Sequence, residues 1–379
     1  MTMLKRLMLS VVCGMLLGCG VSTFPAPNLP QLLPSPSALP SPVVLLPSPG
    51  VTTSAVTTPP IVALPSPGAT TRATLAAPTL FPPTAMPATA AARTPSLGTW
   101  QSKAPVPTSR SEVAVAEVNG LIYVAGGFGP TGARVATVEA YDPVRDTWQA
   151  KSPLPIALDH GAAASQDGNL FVFGGASVRG ASNRVFMYDP SRNEWQDRAP
   201  LPTTRAALGS ATLGSRIYVV GGVGSHANEG YDPAANTWTS LAPMPTARDH
   251  LAAVAFGGQL YAIGGRVNGD SGHNLAVNEV YDPIADKWTS RAPLPTARSG
   301  IGGAALGDSI FVFGGEAPEG NFKQNEAFDP ATNTWRSFAP LPTARHGIGA
   351  TQFGGLIYVL AGGQTPGLSF STVNEAFKP

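Results

Sequence analysis

Short apolar segments of about five residues recur along the chain after residue 97 and are separated by turn residues. In one copy, residues 300–306 are small and apolar, and residues 309–313 form a continuous apolar run. A third segment covers residues 326–328, and Trp335 opens a fourth. Apolar runs of this length between Gly, Asp, Pro and Asn turns are typical of β-strands. The pattern therefore predicts four short antiparallel strands per copy.

The copies follow one another at a regular period. Paired glycines begin at residues 126, 174, 221, 264, 314 and 362, and the six tryptophans lie at 100, 148, 195, 238, 288 and 335. A period of 43 to 50 residues built from short strands indicates a radial or solenoidal array. Four antiparallel strands per repeat are typical of a propeller blade.

Three features recur along the repeats in the same order, although the last copy lacks the third: a glycine pair, an aromatic residue that Asp-Pro usually follows, and then a tryptophan. In one copy these are Gly264-Gly265, Tyr281-Asp282-Pro283 and Trp288. This arrangement resembles the kelch repeat and covers residues 98–379. The resemblance implies an all-β fold, a six-bladed kelch β-propeller.

The first and last copies predict how the ring closes. The last copy runs from Arg345 to Pro379 without a tryptophan, whereas Trp100 precedes every glycine pair. We therefore expect the last blade to be closed by the N-terminal strand around Trp100, because closure removes free sheet edges. We also expect the propeller to be a monomer.

The N-terminus has the features of an export signal. Lys5 and Arg6 precede the apolar run Leu7 to Leu17, which is too short to span a membrane. The following Gly18-Cys19 resembles a bacterial lipobox, which implies a lipoprotein signal peptide at residues 1–19 and lipidation of Cys19. We expect the protein to be held by a lipid anchor on the extracytoplasmic side of a membrane in the cell envelope, or secreted if Cys19 is not lipidated.

Residues 20–97 have a different composition. They are dominated by Pro, Ser, Thr, Ala and Val, and Arg72 and Arg93 are their charged residues. Such a segment cannot bury enough apolar surface to offset its ordering entropy. We predict a disordered proline-rich arm that links the anchor to the propeller at 98–379.

Charge and cysteine content exclude some functions. The repeat region carries 20 Lys and Arg against 23 Asp and Glu, so it lacks the basic footprint of a nucleic-acid-binding protein. Cys13 and Cys19 are the two cysteines of the sequence, so the repeat region has neither a disulfide nor a thiol nucleophile. Copper radical oxidases with a kelch propeller need a cysteine crosslinked to a tyrosine, and that chemistry is therefore excluded.

The face most suited to binding combines two kinds of segment. The lead-in segments enter the first strand of each blade, and the loops between the second and third strands vary in length and sequence. Variable loops on a rigid scaffold commonly carry function. The candidate ligand-binding residues on this face are Arg110, His160, Arg205, Arg248, His250, Arg298, Arg345, His346, His273 and Asp270.

The five lead-in arginines have two interpretations. They could form a ring that binds carboxylates of a partner, as arginines at this position do in some kelch propellers. Alternatively, each could pair with the glutamate two residues before the blade's aromatic residue, as Arg298 could with Glu326. The copy that has Leu158 in place of arginine also has Phe186 in place of glutamate, which favours pairing within the blade.

Three histidines of alternate copies raise the question of a metal. His160 and His250 lie two residues after the arginine position, but His346 lies one residue after it. On a strand that difference turns His346 to the opposite side. We therefore interpret the histidines as polar residues of the rim and predict no metal and no cofactor.

The sequence favours a binding module over an enzyme. We expect it to recognise a protein or a carbohydrate on the variable-loop face. The kelch resemblance also includes exported sialic-acid mutarotases, in which acidic and basic groups of the channel act. Here Glu112, Asp159, Asp249 and the lead-in arginines could do acid–base work. A structural protein of the envelope is the third alternative.

Overall fold

The propeller is described by a computed structural model over residues 97–379. These residues form six four-stranded antiparallel sheets arranged as blades, together with three two-stranded hairpins. None of the described residues belongs to a helix long and apolar enough to cross a membrane. The predicted signal peptide, the proline-rich arm and Cys19 lie outside the described residues.

The blades follow one another in chain order after the first strand, β1 (Thr99–Ser102). Blade 1 contains β2 (Ala114–Val118), β3 (Leu121–Ala125), β4 (Val138–Asp142) and β5 (Thr147–Lys151). Blade 2 contains β6 (Ala162–Gln166), β7 (Asn169–Phe173), the hairpin β8 (Ala176–Ser177) and β9 (Gly180–Ala181), then β10 (Val185–Asp189) and β11 (Glu194–Arg198). Blade 3 contains β12 (Gly209–Leu213), β13 (Arg216–Val220), β14 (Asn228–Asp232) and β15 (Thr237–Ser240).

The second half repeats this arrangement. Blade 4 contains β16 (Ala252–Phe256), β17 (Gln259–Ile263), the hairpin β18 (Arg266–Val267) and β19 (Asp270–Asn274), then β20 (Asn278–Asp282) and β21 (Lys287–Ser290). Blade 5 contains β22 (Gly302–Leu306), β23 (Ser309–Phe313), the hairpin β24 (Glu316–Ala317) and β25 (Gly320–Asn321), then β26 (Asn325–Asp329) and β27 (Thr334–Ser337). Blade 6 contains β28 (Gly349–Phe353), β29 (Leu356–Leu360) and β30 (Asn374–Lys378).

The predicted closure is present. Strand β1 completes blade 6 by pairing antiparallel with β30, and Trp100 lies opposite Phe377. The Trp100 indole also donates a 2.9 Å hydrogen bond from Nε1 to the carbonyl of Ala339 in blade 5. The N-terminal strand therefore joins the first residues of the propeller to its last two blades.

Each tryptophan repeats this contact from blade to blade. Its indole N–H donates to a backbone carbonyl of the preceding blade at 2.8–2.9 Å. Its rings pack on the aromatic residue of the third strand, as Trp148 does on Tyr141 with centroids 5.0 Å apart. A tryptophan thus covers apolar surface and satisfies its polar atom at the junction of two blades.

Two local details differ from the sequence-based expectation. The glycine pair of the sixth copy is displaced, because Ala361 and Gly362 occupy the positions that follow β29, with φ values of 57° and 95°. The first strands also begin later than predicted, since β22 starts at Gly302 and Ala207 precedes β12. The residues before each first strand have a separate role at the channel mouth.

A buried polar network holds the lead-in segment against its own blade in five of the six blades at residues 97–379. In blade 4, Arg248 Nη1 lies 2.5 Å from Glu279 Oε2, and its Nη2 donates to the carbonyl of Ala262 at 2.7 Å. The hydroxyl of Thr246 donates to the other carboxylate oxygen at 2.7 Å. The equivalent pairs are Arg110–Glu139, Arg205–Glu229, Arg298–Glu326 and Arg345–Glu375.

Blade 2 replaces the whole network by apolar residues. Ile156, Leu158 and Phe186 occupy the positions of the threonine, the arginine and the glutamate, and they pack in one hydrophobic cluster. A buried ion pair can be replaced by well-packed apolar residues at little cost, whereas removal of one partner leaves an uncompensated charge. The two arrangements are therefore alternative solutions to the same packing problem.

We predict that Glu279→Ala destabilises the propeller by about 3 to 5 kcal/mol, because Arg248 would remain buried without its partner. The thermal midpoint should fall by about 10 °C in differential scanning calorimetry. Glu194 is exposed and serves as the matched control, since Glu194→Ala should change stability by less than about 0.5 kcal/mol.

A second variant separates the lost pair from simple loss of volume. Thr246→Ile, Arg248→Leu and Glu279→Phe together transfer the arrangement of blade 2 to blade 4. This triple variant should melt well above Glu279→Ala. Equal melting of Glu279→Ala and Glu194→Ala would contradict a structural role for the pair.

Candidate functional site

Six residues, one from each lead-in segment, surround the mouth of the central channel and form a closed ring of backbone hydrogen bonds. Each N–H donates to the carbonyl of the equivalent residue in the preceding blade, at 2.8 to 3.1 Å. We call this the amide ring; its members are Glu112, His160, Ala207, His250, Gly300 and Gly347.

The amide ring requires an unusual backbone. All six residues have a positive φ, between 53° and 66°. Glycine adopts this conformation freely, as at Gly300 and Gly347, whereas other residues lose about 1 kcal/mol or more there. The four members that are not glycine, Glu112, His160, Ala207 and His250, carry this cost, and strained backbone of this kind is concentrated at functional sites.

The glycine and alanine positions make room for the three polar side chains. A Cβ added to Gly347 would lie 2.4 Å from Glu112 Oε1, so the carboxylate of Glu112 occupies the space above this glycine. Ala207 separates His160 from His250, and the two imidazole rings approach to a centroid distance of 4.9 Å. The ring of backbone bonds thus brings one carboxylate and two imidazoles to one side of the channel mouth.

Each imidazole of the amide ring is oriented by the aspartate that precedes it. His160 Nδ1 lies 2.5 Å from Asp159 Oδ1, and His250 Nδ1 lies 2.5 Å from Asp249 Oδ1. A carboxylate at Nδ1 holds the proton there and leaves Nε2 as the acceptor. His160 Nε2 lies 3.4 Å from Glu112 Oε2.

Arg266 and Glu316 extend the cluster towards the loops. Arg266 Nη2 lies 2.7 Å from His250 Nε2, and its Nη1 lies 2.6 Å from Glu316 Oε1. Glu316 Oε2 also accepts a 2.8 Å hydrogen bond from the N–H of Gly367. Both charged side chains are buried and connect the loops of blades 4, 5 and 6.

His346 lies within the same cluster, although the alternation of a strand would turn it away. Its Nε2 is 3.6 Å from Glu316 Oε2 and 3.9 Å from Glu112 Oε1. The expectation fails because Gly347 has a φ of 58°, so this part of the lead-in segment is not extended. His250 and His346 are also more than rim residues, since their side chains are 5% and 2% exposed.

A cavity of about 300 Å³ opens above this cluster on the loop face; we call it the loop-face pocket. Its apolar side consists of Phe128 and Leu368. The Phe128 ring meets that of His160 edge to face, with centroids 5.7 Å apart. The polar side is formed by Ser111, Glu112, His160, Arg266, Glu316 and His346. The pocket therefore offers one aromatic surface and a set of hydrogen-bonding groups.

The surrounding charges keep Glu112 ionised. Burial by itself would raise the pKa of Glu112, but its electrostatic interactions with His160, His250, His346 and Arg266 lower it to about 2. Glu112 is therefore a carboxylate at any physiological pH and a weak base.

The two imidazoles of the amide ring respond differently to their neighbours. Burial by itself would lower the pKa of His160, but the carboxylates of Glu112 and Asp159 outweigh burial and raise this pKa above its ordinary value. Burial dominates at His250 and lowers its pKa below the ordinary value. A protonated and a neutral imidazole can thus coexist in this cluster.

The other predicted candidates have separate places. The five lead-in arginines, Arg110, Arg205, Arg248, Arg298 and Arg345, are buried in the ion pairs described above. Asp270 and His273 form an exposed pair with each other at 2.6 Å on the hairpin β18–β19, and they do not line the loop-face pocket. The structure brings together His160, His250 and His346 from the predicted set.

Sequence reasoning placed Phe128, Arg266 and Glu316 at the start of variable binding loops but did not single them out as site residues. Arg266 and Glu316 directly follow the glycine pairs of blades 4 and 5. The backbone of Arg266 pairs antiparallel with that of Asp249, and the backbone of Glu316 pairs in the same way with that of Ser299. The sequence shows a charged residue at this position in both copies. A charged side chain beside the channel is buried only when it has a partner, so these residues could have been recognised as members of a polar cluster. The partner of each residue, however, comes from the neighbouring blade, because Arg266 of blade 4 pairs with Glu316 of blade 5.

Comparison with known proteins agrees with the fold. A family of kelch-repeat domains, described as KLHDC2/KLHL20/DRC7 Kelch-repeats domain, matches residues 91–265 and 208–375. The solved structure of YjhT has a TM-score of 0.63 and 19% sequence identity; the similarity covers 71% of this chain and 95% of that chain. No curated protein matches this chain significantly.

The likeness to YjhT, at this identity, concerns the fold. The family match is broader, because the two matched segments overlap and together span well over half of the sequence. The chain therefore belongs to the KLHDC2/KLHL20/DRC7 family of kelch-repeat domains.

Proposed function

We propose that the protein is a binding module that recognises a carbohydrate in the loop-face pocket. The kelch propeller fold suggests a binding or scaffold module. The observation that carries the choice of ligand is the combination of the Phe128 ring with a dense set of polar groups in a small concave site. A volume of about 300 Å³ lies at the lower end of ligand pockets, which suits one sugar residue.

The chemistry of a sugar matches both sides of this pocket. Its hydroxyl groups can donate to the carboxylates of Glu112 and Glu316 and can accept from Arg266 or a protonated His160. Its C–H face can pack on Phe128 and Leu368. A peptide on the same face would need a longer groove, because peptide recognition uses a series of side-chain pockets.

Binding fits the pocket better than acid–base catalysis does. An efficient general base has a pKa near the working pH. The pKa of Glu112, at about 2, is far below it, so this carboxylate is suited to accept hydrogen bonds rather than protons.

We expect Phe128→Ala and Glu112→Gln each to weaken binding of a glycan selected on an array by about tenfold or more, equivalent to about 1.4 kcal/mol. The first removes the aromatic surface and the second removes the charge of an acceptor. Affinities would be measured by isothermal titration calorimetry with the full chain.

Phe322→Ala is the matched control. Phe322 lies in the corresponding loop of blade 5 and does not line the loop-face pocket. Unchanged glycan affinity in both Phe128→Ala and Glu112→Gln would place the binding surface elsewhere and refute the proposal.

A second candidate is a sugar mutarotase, which the sequence analysis raised as the enzymatic alternative. His160, whose Nε2 lies beside the pocket 3.4 Å from Glu112 Oε2, favours it, because an imidazole can donate a proton in its protonated form and accept one in its neutral form. Mutarotation of a reducing sugar needs a proton for the ring oxygen and an acceptor for the proton of the anomeric hydroxyl.

Under this candidate, the full chain should accelerate exchange between the anomers of a reducing sugar in NMR exchange spectroscopy. His160→Gln should reduce the acceleration by about 100-fold, the lower range of general acid–base contributions. Absence of any acceleration with sugars that bind would eliminate the enzyme and retain the binding module.

We further propose that the protein is displayed on the extracytoplasmic side of a membrane. The apolar run before Cys19 and the lipobox resemblance support a lipid anchor, and the proline-rich segment would serve as a spacer.

Metabolic labelling with a fatty acid should label the native chain, and Cys19→Ala should abolish the label because the acceptor thiol is removed. Cys13→Ala is the control and should still be labelled. Retained label in the Cys19→Ala variant would refute the anchor.

A further inference from the structure

We propose that Glu112, His160 and His250 form a binding site for a divalent transition-metal ion of the Zn²⁺ or Fe²⁺ class at the mouth of the channel. This inference goes beyond the carbohydrate proposal and does not depend on it. It rests on the geometry of the amide ring, on the residues behind the histidines and on the charge of the cluster.

The possible ligand atoms of the three residues lie close together. One atom from each of the three residues lies within 4.8 Å of the others. An ion held by imidazole and carboxylate at about 2.0–2.1 Å keeps its ligand atoms about 3.4 Å apart. His160 Nε2 and Glu112 Oε2 already have this separation of 3.4 Å. The ligand atom of His250, which lies within 4.8 Å of the other two, would need to approach by at most about 1.4 Å.

Both histidines have a carboxylate behind them, on the side away from the proposed ion. Metal-binding imidazoles usually donate their other N–H to a carboxylate, which fixes the tautomer and turns the free nitrogen towards the ion. Asp159 and Asp249 occupy this position, each 2.5 Å from the Nδ1 of the following histidine. Asp249 is held in turn by the N–H of Gly269 at 2.8 Å.

The cluster around the proposed ion carries an excess of negative charge. Four carboxylates contribute to the cluster: Glu112, Asp159, Asp249 and Glu316. Two guanidinium groups oppose them, because Arg134 pairs with Asp159 and Arg266 pairs with Glu316. With neutral imidazoles the cluster keeps two uncompensated negative charges, which a divalent cation would neutralise.

The choice of ion follows from the ligand types. Two imidazoles and one carboxylate favour Zn²⁺, Fe²⁺ and similar ions over Mg²⁺ and Ca²⁺, which prefer oxygen ligands. Three protein ligands also leave a coordination position for a water or a bound molecule. The loop-face pocket lies on that side, since Glu112 and His160 line both the pocket and the channel mouth.

Arg266 would compete with the ion. Its Nη2 lies 2.7 Å from His250 Nε2, the nitrogen that the metal requires. Metal binding must therefore displace this guanidinium from His250, while Glu316 can retain it through Nη1. Removal of the Arg266 guanidinium should therefore strengthen metal binding, whereas removal of a metal ligand should weaken it.

The test is a calorimetric titration of the full chain with Zn²⁺, supported by the visible absorption of Co²⁺ as a probe of coordination. We expect one ion per chain and weak or undetectable binding of Mg²⁺. Asp159→Asn and Asp249→Asn should each weaken Zn²⁺ binding about 10- to 100-fold, and His160→Ala and Glu112→Gln should weaken it further. Arg266→Gln should strengthen it.

His226→Ala and His273→Ala are matched controls, because both histidines are exposed on the same face outside the cluster. They should bind Zn²⁺ as the native chain does, and thermal melting would confirm that every variant is folded. The proposal is overturned if the native chain shows no saturable binding of Zn²⁺. It is also overturned if folded His160→Ala binds like His226→Ala, or if Arg266→Gln binds more weakly than the native chain.

Discussion

The closed ring of backbone hydrogen bonds at the channel mouth is the constraint on which the arrangement of this protein depends. Each blade contributes one N–H and one carbonyl, and each N–H reaches the preceding blade only because its residue has a positive φ. Six such residues bring six lead-in segments to one axis. Whatever side chains stand at these positions must therefore meet above the channel, as Glu112, His160 and His250 do.

The rest of the lead-in segment is held from behind by buried charge. Arg248 is neutralised by Glu279 and bonded to the carbonyl of Ala262, so the segment before His250 is fixed to its own blade. Blade 2 achieves the same result with Leu158 and Phe186 and still places His160 in the amide ring. The arginines are thus scaffold, and the chemistry belongs to the residues that follow them.

The functional cluster arises where the copies differ. Gly300 and Gly347 lack side chains and leave space on one side of the amide ring. The polar side chains on the other side of the ring fill this space. Arg266 and Glu316, at matching positions of neighbouring blades, connect the imidazoles to the loops. Because the cluster is largely buried and carries more carboxylates than guanidinium groups, its electric field favours a positive charge or a ligand rich in hydrogen-bond donors.

The sequence by itself determined the repeating architecture, because the glycine pairs, the aromatic residues and the tryptophans act within a blade or between adjacent blades. The closure through Trp100 and the pairing of Arg298 with Glu326 followed from the same comparison of copies. The threonine of that network, Thr296, could have been found in the same way, because Ile156 replaces it in blade 2.

Only the tertiary structure decided which side chains form the site. Glu112, His160 and His250 occupy the same position of three copies, and Glu316 comes from a loop of blade 5, but the repeat pattern does not show that these side chains meet. The alternation of a strand also misled the assignment of His346, because Gly347 has a positive φ and this part of the lead-in segment is not an extended strand. Contacts around a central axis depend on ring closure and on backbone conformations that the repeat pattern does not encode.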